Sequence, residues 1–170
     1  LDDTDVELND SSAEFFYLGY LLLLERLDRV DGDGKTGASR LLRRASAAGF
    51  HTVVDLVSVQ MGNFREVVLP SLPETDTLFL NELEAGALLG RCIKDDDAQG
   101  LMAAADAVLA LGVRRRVIVH SACGAVVVSS DGSRAQHGSL LIPAQEIRGA
   151  AGAGDAFAAG VILGLHHKHS

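Results

Sequence analysis

The segment Gly149-Ala150-Ala151-Gly152-Ala153-Gly154-Asp155-Ala156-Phe157 has the residue types best suited to holding an anion. Small side chains let the backbone approach a ligand closely, and the helix that follows directs its first N–H groups and the positive end of its dipole at the same point. Asp155 falls in the first turn of that helix, where the local pattern alone reads as a capping carboxylate. A second group, Asn81-Glu82-Leu83-Glu84, lies just past the apolar run Thr77-Leu78-Phe79-Leu80. Asn81 and Glu84 are three apart, so they can share one face of a helix that begins there. Ligands of open α/β sheets bind outside the carboxyl ends of the strands, and an amide and a carboxylate at that level could hold a hydrated magnesium near a nucleotide. For this motif taken alone, a capping asparagine followed by solvated acids is the alternative.

Other candidate chemistry fails on spacing. Gly34-Lys35-Thr36 resembles the end of a phosphate loop, but Arg29 stands where the loop needs its first glycine, which leaves a surface turn entering a helix. Asp31 and Asp33 evoke a calcium loop, yet Arg29 and Arg40 would occupy its first and twelfth ligand positions. His166, His167 and His169 have no companion cysteine or carboxylate at ligand spacing and read as a solvated helix end. His51 and His137 have no recognisable nucleophile beside them. Cys92 and Cys123 are too few for a disulfide framework, and they read as two small buried residues in a protein of the reducing cytoplasm.

The elements that must position these groups alternate. Phe15 to Gly19, Thr52 to Leu56, Thr77 to Leu80 and Val117 to His120 are compact apolar or β-branched runs expected to be central strands. Helical composition is read over Thr36 to Ala48, ended by Gly49, and over Glu82 to Leu89. It is read again over Ala98 to Leu111, ended by Gly112, and a short helix is expected over Asn63 to Leu69 before Pro70 and Pro73. Ala125 to Ser129 and Arg134 to His137 flank Asp131-Gly132, a strong hairpin signal. Phe157, Val161 and Leu165 then continue the last helix. The sum is an α/β fold, three layers α/β/α with a mostly parallel sheet plus an antiparallel hairpin.

Composition fits this architecture and excludes several partners. The 170 residues are 48% apolar and 22% charged, as suits one soluble domain with a continuous core. A formal net charge of −8, with no basic run longer than Arg114-Arg115-Arg116, argues against nucleic acid. The longest apolar run, Phe15 to Leu24, is far short of a bilayer span, so no membrane partner is expected. Leu1 is not methionine and the opening residues are acidic and polar, so the start reads as internal to a longer chain.

Asn-x-x-Glu after one strand, then Gly-Ala-Gly-Asp opening a helix far downstream, resembles the ribokinase-like, or PfkB, carbohydrate kinase family. The resemblance runs from about Phe15 to Leu165 and includes the order of strands and helices. It implies a phosphotransferase acting on a sugar-like hydroxyl with ATP and Mg2+, in which Asp155 accepts the hydroxyl proton. It also implies an anion hole formed by the N–H groups of Gly152, Ala153 and Gly154, and places Asn81 and Glu84 in the magnesium and phosphate network, through water. The region of His120, Ala122 and Gly124 falls where the family has a nucleotide-contacting loop, and a homodimer is compatible with the resemblance.

Gly149 and Ala150 stand where the family usually has an Asp-Thr pair, so the resemblance does not extend to a monovalent-cation site. The loop from His120 to Gly124 is short and lacks the usual threonine and glycine. The family's amino-terminal part, with its lid and most sugar-contacting residues, is not in this sequence, and these residues alone are expected to turn over poorly. A nucleoside kinase of the same superfamily and a non-catalytic nucleotide- or sugar-binding relative are the competing readings.

Overall fold

The computed structural model describes residues 2–8, 12–58, 63–149 and 151–168. It divides into two compact units, residues 1–138 and 139–170. The first contains a six-stranded sheet in simple sequential order: β1 (Phe15–Leu21), β2 (His51–Leu56), β3 (Thr77–Asn81), β4 (Arg116–Ser121), β5 (Gly124–Ser129) and β6 (Arg134–Gly138). β1 to β4 are parallel, and β4, β5 and β6 pair antiparallel. The expected mostly parallel sheet with an antiparallel pair is therefore observed. Parallel neighbours need crossovers, and these are supplied by α1 (Gly37–Ala47), α2 (Phe64–Val68), α3 (Glu82–Leu89) and α4 (Ala98–Leu109).

Helices α1 and α4 each begin where a side chain satisfies a first-turn N–H group. Thr36 caps α1, taking the Ser39 N–H at 3.1 Å while the Ser39 hydroxyl takes the Thr36 N–H, so the residue that evoked a phosphate loop is a capping-box residue. The Asp31 and Asp33 carboxylates beside it pair with Arg40. Gly49, at φ +94°, turns the chain from α1 into β2. Asp97 caps α4, which ends at Leu109, short of the expected Leu111, before Gly112 turns at φ +122°.

Alternation along the strands builds the core. Val54 and Leu56, Leu78 and Leu80, Val117 and Val119, and Val126 and Val128 join Leu41 and Leu42 of α1, Leu88 of α3 and Leu101 and Val108 of α4 in one cluster. Val53, Phe79 and Ile118 alternate with these, are fully buried, and point to the opposite face. At the amino end of the strands, Asp76 ties three segments together. It accepts the Thr52 N–H at 3.0 Å, and the Arg114 and Arg115 guanidinium groups each approach it to 3.3 Å.

Two further details differ from expectation. Pro70 and Pro73 do not merely follow a short helix: α2 runs directly into a 3-10 helix, Leu69–Glu74, that contains both. A proline near a helix start costs little because its missing N–H would have no partner there. Cys92 and Cys123, read as buried, are both exposed free thiols, because each lies in a connecting segment outside the helices and strands that form the core.

The second unit holds α5 (Ala153–His166), preceded by one 3-10 turn, Ala144–Glu146. Its last residues, His166 and His167, are exposed at the helix end. His169 and Ala150 lie outside the described residues.

Candidate active site

At the carboxyl end of β3, Asn81 and Glu84 form a reciprocal capping box. Asn81 is the N-cap of α3, its side-chain oxygen accepting the Glu84 N–H at 2.9 Å while Glu84 Oε2 accepts the Asn81 N–H at 2.8 Å. Asn81 Nδ2 also donates to Glu84 Oε1, at 3.1 Å. The sequence pattern thus brings these two side chains together, and its alternative reading of Asn81 as a cap also holds. The reading of the acids as solvated does not: Glu84 is only 5% exposed.

Burial raises the pKa of the Glu84 carboxyl, opposed by the bonds from the Asn81 N–H and the Ser58 hydroxyl and reinforced by the negative charges of Asp55 and Glu82. Asp55, near the carboxyl end of β2, is itself buried and accepts the Tyr17 hydroxyl at 2.9 Å. His120 pairs with Asn81 in the β3–β4 register. Burial lowers the pKa of its imidazole, against the pull of Glu82. The carboxyl ends of β2, β3 and β4 therefore carry a concentration of oxygen donors and negative charge.

Ser58 and Asp55 are absent from the candidate set read from the sequence. Asp55 had a signal, a carboxylate inside the apolar run Val53-Val54-Asp55-Leu56. Ser58 had none, since a serine after a strand is ordinary turn composition.

The loop from His120 to Gly124 is a tight reversal between β4 and β5, with Ser121 paired to Gly124. The Ser121 hydroxyl donates to the Asp95 carbonyl at 2.7 Å and accepts the Cys123 N–H at 3.2 Å. Gly124 is needed for a structural reason of its own: a Cβ there would lie 2.4 Å from the His137 carbonyl oxygen on β6. Gly124→Ala is expected to cost about 1–3 kcal/mol by forcing the β5 and β6 backbones apart. Amide exchange should locate the loss: faster exchange confined to β5 and β6 is the expected result, and an unchanged pattern would contradict it.

In the second unit, Gly152 occupies the N-cap of α5 at φ +80°, a left-handed conformation that favours glycine. With no side chain it gives no cap to the N–H groups of Ala153 and Gly154, and its carbonyl accepts the Ala156 N–H at 3.0 Å. Asp155 is the third residue of the helix and not its N-cap. The two groups of candidate residues lie in different units.

An open, mostly parallel sheet with polar and acidic side chains at the carboxyl ends of its strands is an α/β architecture of the kind whose ligands, where it has them, bind outside those ends. More specifically, residues 6–170 match the model of the pfkB family carbohydrate kinases, and the chain belongs to that family. Its fold is that of the ribokinase-like sugar kinases. Phosphofructokinase-2 from Escherichia coli, in complex with substrates and products, is 24% identical, with a TM-score of 0.61 over 78% of this chain and 40% of its own. Arabidopsis thaliana ribokinase complexed with ribose and ATP is 22% identical, with a TM-score of 0.63 over the same shares, 78% and 40%. Aminoimidazole riboside kinase from Salmonella enterica, complexed with aminoimidazole riboside and an ATP analog, is 18% identical, with a TM-score of 0.69 over 99% of this chain and 52% of its own. At these identities the likeness is one of fold, and the chain spans 40% to 52% of the length of these three proteins. No curated protein sequence matches.

Among the described residues, no helix is long and apolar enough to cross a membrane. Nor does any group of three or more His, Cys, Asp or Glu side chains among them have the arrangement to hold a metal ion.

Proposed function

We propose that this chain handles the nucleotide and the transferring phosphoryl group in an ATP-dependent kinase acting on a hydroxyl of a sugar or sugar-like molecule. The observation that carries the reading is the start of α5, where a left-handed Gly152 leaves the Ala153 and Gly154 N–H groups without a side-chain cap and Asp155 follows within the first turn. Uncapped N–H groups at the positive end of a helix stabilise negative charge, which is the principal task in phosphoryl transfer. In this reading the backbone of Gly152, Ala153 and Gly154 is the anion hole and Asp155 is the base that takes the proton of the acceptor hydroxyl. His120, Ala122 and Gly124, at the β4–β5 reversal, contact the nucleotide.

Magnesium fits Asn81 and Glu84 as a hydrated ion. Their side-chain oxygens are already engaged in the capping box, and no compact ligand cluster stands ready among the described residues, so both act through water. When bound, the ion supplies neutralisation of phosphate charge. Asn81 and Glu84 orient the water that carries their influence, while Asp155 holds the proton leaving the acceptor.

Aminoimidazole riboside kinase, the broadest of the three matches above, favours a second acceptor class, a nucleoside hydroxyl. A coupled ADP-release assay with Mg–ATP and a panel of pentoses, hexoses and nucleosides tests both. Acceptor-dependent ADP release is expected from one of these classes in the intact protein. Nucleotide binding with no acceptor-dependent release from any of them would overturn the catalytic reading and leave a binding protein.

A further inference from the structure

A capping box uses only half of the polar atoms that Asn81 and Glu84 carry. The asparagine oxygen and Glu84 Oε2 complete it, and the Asn81 amide nitrogen and Glu84 Oε1, which bond to each other at 3.1 Å, lie outside it. Both converge on one hydroxyl from a different strand connection. Ser58, just beyond β2, donates to Glu84 Oε1 at 2.8 Å and accepts from Asn81 Nδ2 at 2.7 Å. The contact bridges 26 residues to Glu84 and 23 to Asn81.

Helix capping does not require this arrangement. The box at the start of α1 is built from Thr36 and Ser39 alone, without charge and without a third side chain from elsewhere. At α3 the chain instead buries a full carboxylate close to two others, Asp55 and Glu82, and then holds its second oxygen with a hydroxyl. Burying that charge works against folding, and a glutamine would cap as well without it. The bridge fixes the rotamers of both motif residues relative to the end of β2.

We infer that Ser58 is a positioning residue for the magnesium–nucleotide site, holding the Asn81 amide and the Glu84 carboxylate in the one orientation in which they can order water around the ion. The inference rests on the kinase reading proposed above. Residues that orient a metal's surroundings without touching the metal are worth about 10–100-fold in metal affinity. Ser58 belongs at the lower end of that range, because it acts on groups that themselves act through water.

The test is ATP binding by calorimetry with and without Mg2+, in the parent, Ser58→Ala, Ser58→Thr and Ser58→Val. Thr and Val have the same shape and differ only in the hydroxyl, so their comparison stands even where Ala alters folding. Ser58→Ala and Ser58→Val are expected to weaken Mg–ATP binding about tenfold while ATP affinity without magnesium is unchanged, and Ser58→Thr to restore it. Equal Mg–ATP affinity in Thr and Val, or a parallel loss with and without magnesium, would overturn the role of Ser58 alone. A parent protein that binds no ATP, or binds it with no magnesium dependence, would instead overturn the kinase reading.

Discussion

Asp155→Asn is expected to lower the rate of phosphoryl transfer in the intact protein by about a hundredfold to ten-thousandfold, the usual worth of a general base. The expectation depends on what the substitution spares. Gly152 is the N-cap of α5 and Asp155 its third residue, so Asp155 does not occupy the N-cap position itself. Asparagine has the same size and can still bond in the first turn, but it cannot take a proton. Among what it gives up in stability is the interaction of a negative charge with the helix dipole, about 0.3–1 kcal/mol at an exposed position. Rate and stability should therefore separate: turnover collapses while the thermal midpoint shifts by a few degrees at most. ATP affinity should stay near that of the parent, because the anion hole is backbone. Near-normal turnover would remove Asp155 from the chemistry. A rate loss matched by an equal loss of folded protein would return it to the role of a helix-start residue.

The strands were legible because central parallel strands are short β-branched and apolar runs that leave little room for another reading. Thr52 to Leu56, Thr77 to Leu80 and Val117 to His120 all emerge as parallel strands, extended by one or two residues at their ends. The Asn81–Glu84 pairing was legible because a three-residue separation at a helix start is a local geometry that sequence spacing encodes. What could not be read is what depends on tertiary approach. Ser58 meets Asn81 and Glu84 only because β2 lies beside β3, and no spacing within the chain announces that contact. Gly124 attracted a functional reading for its place in a motif, yet the approach of the His137 carbonyl suffices to require it. The cysteines failed for a related reason: small and apolar composition predicts burial on average, whereas both sit in segments that connect the helices and strands.

Glu84→Gln is expected to reduce magnesium-dependent turnover about 10–100-fold while leaving the protein at least as stable as the parent near neutral pH. These two effects have one origin. Glu84 is buried beside Asp55 and Glu82, and its carboxyl therefore titrates above the ordinary range, with burial the largest cause. A carboxyl whose folded pKa lies above its unfolded value gives up protons more readily when unfolded. Its contribution to folding is thus most favourable below the unfolded pKa, and stability is lost as pH rises through the interval from that value to the raised folded one. Glutamine is neutral throughout, so the variant should lack this part of the pH dependence. Its amide can also keep an oxygen toward the Asn81 N–H, which preserves the helix start. Urea unfolding across that pH interval, without magnesium, measures the stability arm, and ADP release against magnesium concentration measures the functional one. A Gln variant with the parent's magnesium dependence would show that the charge of Glu84 serves no ion. One that unfolds more easily above the interval would show that the carboxylate is retained for the capping box itself.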